Sequence, residues 1–494
     1  MHSPRRETTL ALGLIVACLV AEAAVLRVGI DDLDEGYFVQ QGLRVLHGQV
    51  PYQDFQSLYT PGLAYLHGVL FGLIGGPYVL VPRVLALASR AALALLLYVI
   101  ARPLVRRPLW AALPALYILM GLDDAPVRWE PHPGWLSTLL AVLAAWCLSH
   151  RHATPWLVAA GIATGVAYAF KQNTGAFMLA AIVVGGLVTA SSSGRSLANA
   201  PPQRWNPPQR PWNATSRWQI GLPVASFAVV TVVWLAPLLI ALHGNVAQLG
   251  VLIGAVNQAG LFSGPEWPVL VPALCLAGGV WLWRREHDPT LGWYLLAGSA
   301  LLLTQFPRMD ALHLVWSAPL LLVVGAATLD RLRLRWAVPI VLGALALTGP
   351  TIASRAMAIA QPSVPITTVR YAAGIQVPEP TRRDLEGVIA EIQSRTAANE
   401  PIFVYPTSPL LYALSDRPNP TRFDHLNPGA ANAQQIAQVI TDIEASHVRL
   451  VVISDFWVTA WGDPGANTVL ESWLAAHFTD VARYGGYRVL TSGL

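Results

Sequence analysis

Long apolar runs broken by short polar loops fill the first 356 or so residues. About 20 mostly apolar residues in a helix cross the ~30 Å hydrocarbon core of a bilayer. Eleven runs approach that length, at about 8–28, 82–101, 109–122, 134–149, 155–170, 175–190, 219–241, 267–283, 290–306, 312–329 and 337–356. From about residue 358 the pattern changes to that of a soluble domain. Residues 381–397 and 430–447 predict amphipathic helices, and 401–405 and 449–453 predict short buried strands. A helix near 468–477 and a hairpin about Gly485-Gly486 follow. The expected fold is an α-helical polytopic membrane protein, residues 1–357, with a small C-terminal α/β soluble domain, residues 358–494.

Arginine and lysine orient the spans, because cytoplasmic loops carry the excess of positive charge. With the N-terminus inside, fifteen cations fall in inner loops, among them Arg102, Arg106, Arg107, Arg284, Arg285 and Arg331. The outer loops before the tail hold only four, Arg44, Arg128, Lys171 and Arg308. The tail is then extracytoplasmic. Residues 61–76 are apolar but short, and counting them as a span would put the arginine-rich loops outside. They read as a re-entrant or juxtamembrane helix in a long first outer loop, with a true span as the competing reading. The N-terminus also resembles a signal peptide, with Ala21-Glu22-Ala23 as a cleavage-like site, but the many spans favour an uncleaved first helix. Residues 191–218 repeat PPQRWN as PPQRPWN and read as a proline-rich inner tether.

Composition supports this reading. Apolar residues make up 54% and charged residues 12%, with a mean hydropathy of +0.47. That is about half the charge of an ordinary soluble domain, roughly 25%. It excludes a disordered chain, a coiled coil and a simple soluble enzyme. No basic block marks a nucleic-acid partner. The three cysteines, Cys18, Cys147 and Cys275, lie in apolar runs without metal-ligand spacing.

The remaining charge gathers at span ends on the outer side. Asp31, Asp32, Asp34 and Glu35 follow the first run, where carboxylates could serve as bases or metal ligands, or simply favour a helix N-terminus. Asp123 and Asp124, with Arg128 and His132, end the third. Lys171-Gln172-Asn173 separates two runs. Lys171 is the sole lysine, and its compact charge suits a phosphate oxygen or the membrane interface. Arg308, Asp310 and His313 form the last cluster, and Arg308 and Asp310 could pair or orient an anionic head group.

The order of an Asp-Glu pair, then GYFVQQGLRVLHGQVPYQDF, then YTPGLAYL, resembles bacterial membrane glycosyltransferases of the GT-C superfamily. Protein O-mannosyltransferases and lipid A aminoarabinose transferases are the relatives meant. The resemblance covers roughly residues 8–330. It implies a polyprenyl-phosphate-linked sugar donor, transfer to a hydroxyl acceptor (glycan, lipid or protein) at the outer face, usually inversion, and a place in the bacterial plasma membrane. It puts the first-loop catalytic acid on Asp34 and a second acid on Asp123 or Asp124. Lys171 and Arg308 would serve the lipid phosphate, and Asp31, Arg128, Asp310 and His313 would line the substrate site. Glu35 would hold a divalent cation, magnesium or manganese, with Asp123 or Asp124. The rival reading is a lipid-linked sugar flippase or transporter. Such proteins often show internal repeats and midplane charges, and neither is found in this sequence.

Overall fold

The computed structural model describes residues 4–120, 131–150, 153–192, 218–250, 269–305, 310–332, 353–426 apart from 355 and 358, 431–460 and 467–492. Its N-terminal part is a bundle: α1 Pro4–Ala24, α2 Asp34–Leu46, α3 Gly62–Ile74, α4 Leu80–Ala101, α5 Pro108–Met120, α6 Pro133–Ser149, α7 Thr154–Phe170, α8 Gln172–Ser192, α9 Trp218–Ala241, α10 Leu270–Glu286, α11 Pro289–Leu302, α12 Ala311–Ser317 and α13 Pro319–Arg331. Ten of the expected runs coincide with helices, the last being divided between α12 and α13; the run at 337–356 lies almost wholly outside the described residues. Among the described residues, three helices are long and apolar enough to cross a bilayer by length and composition: Arg5–Ala24, Leu80–Leu104 and Ile220–Ala241. The others are shorter or less uniformly apolar. α3 has thirteen residues and ends on left-handed Gly75. At 1.5 Å per residue it reaches about 20 Å, short of the bilayer core.

Small residues let the bundle helices approach. Ala94, Ala111, Ala115, Ala141, Ala144, Ala145 and Ala160 lie in its core beside Leu93, Leu97 and Leu320. Gly161 and Gly165, a G-x-x-x-G pair on α7, face α9. A Cβ on Gly161 would meet the Pro223 carbonyl oxygen at 2.2 Å, and one on Gly165 would meet Val230 at 2.8 Å. Such close contact suits helices that gain little from hydrophobic burial in lipid. The outward side of α9 is correspondingly apolar, with Val229, Val232, Val233 and Ile240 exposed.

The two ends of the bundle differ. At one end Asp330 accepts the backbone N–H groups of Arg106 and Arg107 (2.8 and 3.2 Å), and Arg331 pairs with Glu286 at 3.1 Å. At the other, α4, α6, α8 and α12 begin and α7 and α11 end. Within the wall, Arg90 of α4 pairs with Glu22 of α1 at 2.7 Å and lies over the Trp135 ring.

The tail is a three-layer α/β unit. β1 Val364–Pro365 and β2 Gln376–Val377 form a small antiparallel ribbon. α14 Glu379–Arg395, β3 Phe403–Tyr405, α15 Leu410–Ser415, α16 Ala433–Ala445, β4 Leu450–Ser454, α17 Asp455–Ala460, α18 Thr468–His477, β5 Phe478–Tyr484 and β6 Tyr487–Ser492 follow. The sheet order is β3-β4-β6-β5, parallel between β3 and β4 and antiparallel elsewhere. Side chains alternate across it, as period two requires. Val404, Val452 and Val489 meet Leu385, Val388 and Ile392 of α14, while Tyr405, Val451 and Ile453 meet Ile436, Val439 and Leu474 of α16 and α18. Val39, Leu43, Phe71 and Val79 belong to the same core as the α14 face. The first loop and the tail are therefore packed as one body, although residues 82–357 lie between them in the chain.

Candidate active site

The acidic run at the head of α2 is divided by task. Asp31 Oδ1 accepts the backbone N–H groups of Leu33 and Asp34 (3.0 and 3.1 Å) and so closes the turn that leads into the helix. Asp32 receives the Ser408 hydroxyl (2.6 Å), the Tyr487 hydroxyl (2.8 Å) and the Trp457 indole N–H (3.2 Å), which ties the loop to the tail. Glu35 is fully buried and takes two bonds from Arg83 of α4, at 2.5 and 2.7 Å, a fork geometry that satisfies both oxygens. Of the two expected roles here, Asp31 as a substrate contact and Glu35 as a cation ligand, the structure shows the turn that Asp31 closes and the pairing of Glu35 with Arg83.

Asp34 is the first residue of the same helix. It stands at the first turn of α2, three and four residues before Tyr37 and Phe38, hence on the same helix face. Tyr37 packs edge-on to His425 of the tail (5.0 Å), and its hydroxyl accepts the Leu58 N–H at 3.0 Å. The Asp34 charge acts on His425 as well: burial lowers the imidazole pKa below its ordinary value, while Asp424 and Asp34 oppose that shift.

Phe38 leads into an aromatic wall. It meets the rings of Tyr59 and His132, each at 5.7 Å. His132 caps α6: its Nδ1 accepts the Gly134 N–H at 2.8 Å. The ring proton then belongs on Nε2, which donates to the Tyr59 hydroxyl at 3.0 Å. The imidazole stacks flat on Trp316 at 3.8 Å and 5°. Lys171 reaches the same indole, its Nζ lying 4.9 Å from the ring centre, a cation–π arrangement.

Lys171-Gln172-Asn173 is the hub. Lys171, at the end of α7, is 7% exposed. Gln172 accepts the Thr60 N–H (3.3 Å) and donates to the Leu58 carbonyl (3.2 Å), which places Tyr59. Asn173 donates to the Thr304 carbonyl at 3.2 Å, ahead of the last cluster. There Asp310 caps α12 through the His313 N–H (2.9 Å) and contacts His313 Nδ1 at 2.6 Å. A carboxylate on Nδ1 fixes the imidazole and presents Nε2. His313 lies 5.3 Å from the Trp316 ring and 6.3 Å from His132.

The structure thus gathers Lys171, Asp310 and His313 with the Asp34 face of α2 at one end of the bundle. Asp123, Asp124, Arg128 and Arg308 lie outside the described residues. Tyr59, Trp316 and His425 were missed in the sequence, and His132 was noticed only as a neighbour of acids. His132-Pro133 was the available signal, a capping residue and N1 proline opening an apolar run. Among the described residues no three His, Cys, Asp or Glu side chains stand together as metal ligands. Glu35 is taken up by Arg83, and Asp123 and Asp124, the other expected ligands of the divalent cation, lie outside the described residues.

No family model and no curated protein matches the chain. Solved structures do. ArnT from Cupriavidus metallidurans, bound to undecaprenyl phosphate, is 16% identical, with 98% of each chain covered and a TM-score of 0.59. The archaeal oligosaccharyltransferase AglB from Archaeoglobus fulgidus, with an inhibitory peptide and a dolichol-phosphate, is 12% identical over 98% of this chain and 74% of that one, with a TM-score of 0.56. The same oligosaccharyltransferase in complex with zinc and sulfate matches at a TM-score of 0.54, with 12% identity over 96% of this chain and 72% of that one. At these identities the likeness is one of fold.

Proposed function

We propose that this chain, which has the GT-C fold, is an integral-membrane glycosyltransferase. It moves a sugar from a polyprenyl-phosphate donor to a hydroxyl acceptor at the outer face of a bacterial plasma membrane, with inversion. The observation that carries the reading is the convergence just described: one carboxylate-bearing helix face, one buried lysine and two oriented histidines at the same end of the bundle.

In this scheme the donor enters from the bilayer with its phosphate beside Lys171. Asp34 takes the proton of the acceptor hydroxyl, and the oxygen attacks the anomeric carbon from the side opposite the phosphate. The bond from that carbon to the phosphate oxygen breaks, and polyprenyl phosphate leaves with the electron pair. Lys171 opposes the charge that develops there, with His313 as a nearby proton donor. Arg308 joins Lys171 at the phosphate, Arg128 meets the substrate and Asp123 or Asp124 supplies the second acid. No step is routed through a metal.

A positioned general base contributes about 10²–10⁴-fold. Membranes carrying Asp34→Asn, supplied with a labelled polyprenyl-phosphate sugar, are expected to transfer label slower by that factor. Undiminished transfer would reject the base, and label crossing the bilayer while still attached to lipid would favour the flippase reading.

A further inference from the structure

A cleft of about 230 Å³ opens between the first loop, the segment after α9 and the tail. At roughly 30 Å³ per water it has room for about eight waters, the scale of a single sugar ring. Gln56, Gln248, Gln434, Gln435 and Gln438 line it together with Tyr52, Arg422 and Phe423, and among the described residues no carboxylate does. Gln434 and Gln438 are exposed and four residues apart, so one face of α16 presents both. Gln438 gives its Nε2 to Asp442 at 2.7 Å, which leaves its Oε1 as the acceptor offered. The Oε1 of Gln248 is shielded from solvent and has no partner among the described residues. A buried acceptor without a donor is costly, and a ligand hydroxyl would relieve it.

The walls are pinned to each other. Arg422 Nη2 donates to the Tyr52 carbonyl at 2.5 Å, and the Gln56 N–H donates to the Arg422 carbonyl at 2.8 Å. Tyr52 then links the cleft to the reaction site, because its hydroxyl donates to the carbonyl of Tyr59, whose own hydroxyl meets His132.

We propose that this cleft is an acceptor subsite and that the acceptor is a neutral glycan chain, held one unit behind the reacting hydroxyl. The inference rests on the glycosyltransferase reading and deepens it. Each amide presents donors and an acceptor in one plane, and sugar hydroxyls are both at once. A lipid acceptor needs an apolar groove. A peptide is commonly held along a strand edge or by anchors in apolar pockets. A row of amides beside one arginine, Tyr52 and Phe423 offers neither.

The test uses the full chain in nanodiscs. Linear neutral tetrasaccharides of glucose, mannose, galactose and arabinose are titrated by saturation-transfer NMR, and release of sugar from a polyprenyl-phosphate donor to water is followed separately. At least one saccharide is expected to bind, and the double variant Gln434→Ala/Gln438→Ala, altered only on an exposed helix face, is expected to weaken binding about tenfold. Its melting temperature in nanodiscs should match that of the unaltered chain, because both side chains lie on an exposed helix face. Binding of none of the saccharides, equal binding by the variant, or displacement by a neutral peptide overturns the subsite. Loss of saccharide binding in the variant, with no donor turnover by the unaltered chain, would instead sink the transferase and leave the glycan site standing.

Discussion

Two sets of ion pairs use the same chemistry in opposite settings. Arg83–Glu35 and Arg44–Asp424 are buried and join elements far apart in the chain; each pair is at most 4% exposed. Arg382 with Glu379 and Glu386, and Arg395 with Glu391, lie along the surface of α14 within one turn of each other. A buried pair has surrendered its water, so each member depends on the other. A surface pair keeps its water and is screened. The buried pairs therefore fix where the first loop sits, and with it Asp34, while the surface pairs mainly keep the tail soluble.

The largest effect is expected from Glu35→Ala. Arg83 would be left charged and buried, at a cost of about 3–5 kcal/mol, read as a lower melting temperature in detergent together with lost transfer. Glu35→Leu with Arg83→Met should recover most of the stability, since both charges go. A double variant as weak as the single one would break the comparison.

Arg44→Ala comes next. Arg44 Nε donates to Asp424 Oδ1 at 2.8 Å, and its Nη2 donates to the Thr421 carbonyl at 2.9 Å. Its loss should cost about 3 kcal/mol and expose the junction of loop and tail to protease. A tail as resistant as before would show that the apolar core shared with α2 holds it without the pair.

A smaller effect is expected from pH at His425. Burial holds this imidazole below its ordinary value. The unfolded chain therefore takes up a proton at higher pH than the folded one does. Stability should fall as pH drops below about 6.5, the ordinary histidine value. His425→Gln should flatten that part of a melting-temperature profile taken from pH 8 to 5; an unchanged slope would remove His425 as its source.

Least of all is expected from Arg382→Ala, whose partners Glu379 and Glu386 lie one turn to either side on the same helix and stay in reach of water. Its melting temperature should be indistinguishable from that of the unaltered chain, and a drop comparable to that of Arg44→Ala would erase the distinction drawn between surface and buried pairs.

Much of the fold was legible in the order of residues. Apolar runs announced the helices of the bundle, because a helix can bury its backbone polar groups within itself wherever it lies. The tail was readable almost element by element: α18 matches its expected 468–477, and the β5–β6 hairpin turns at Gly485-Gly486. The candidate site was legible only in part. Lys171, Asp310 and His313 stood out because charge is scarce here. Tyr59, Trp316 and His425 did not, since aromatic and histidine side chains are commonplace in a sequence that holds 18 tryptophans and 12 histidines.

What the sequence determined by itself is local: helix period, strand alternation, caps and the scarcity of charge, all of which depend on neighbours a few residues away. Tertiary structure alone decided the partners. It gave Glu35 to Arg83, Asp32 to Ser408 and Tyr487, and Lys171 to Trp316. Once water is excluded, each buried ionic or polar group is stabilised by whichever complementary group the packing brings within reach, and residue order carries no record of that distance.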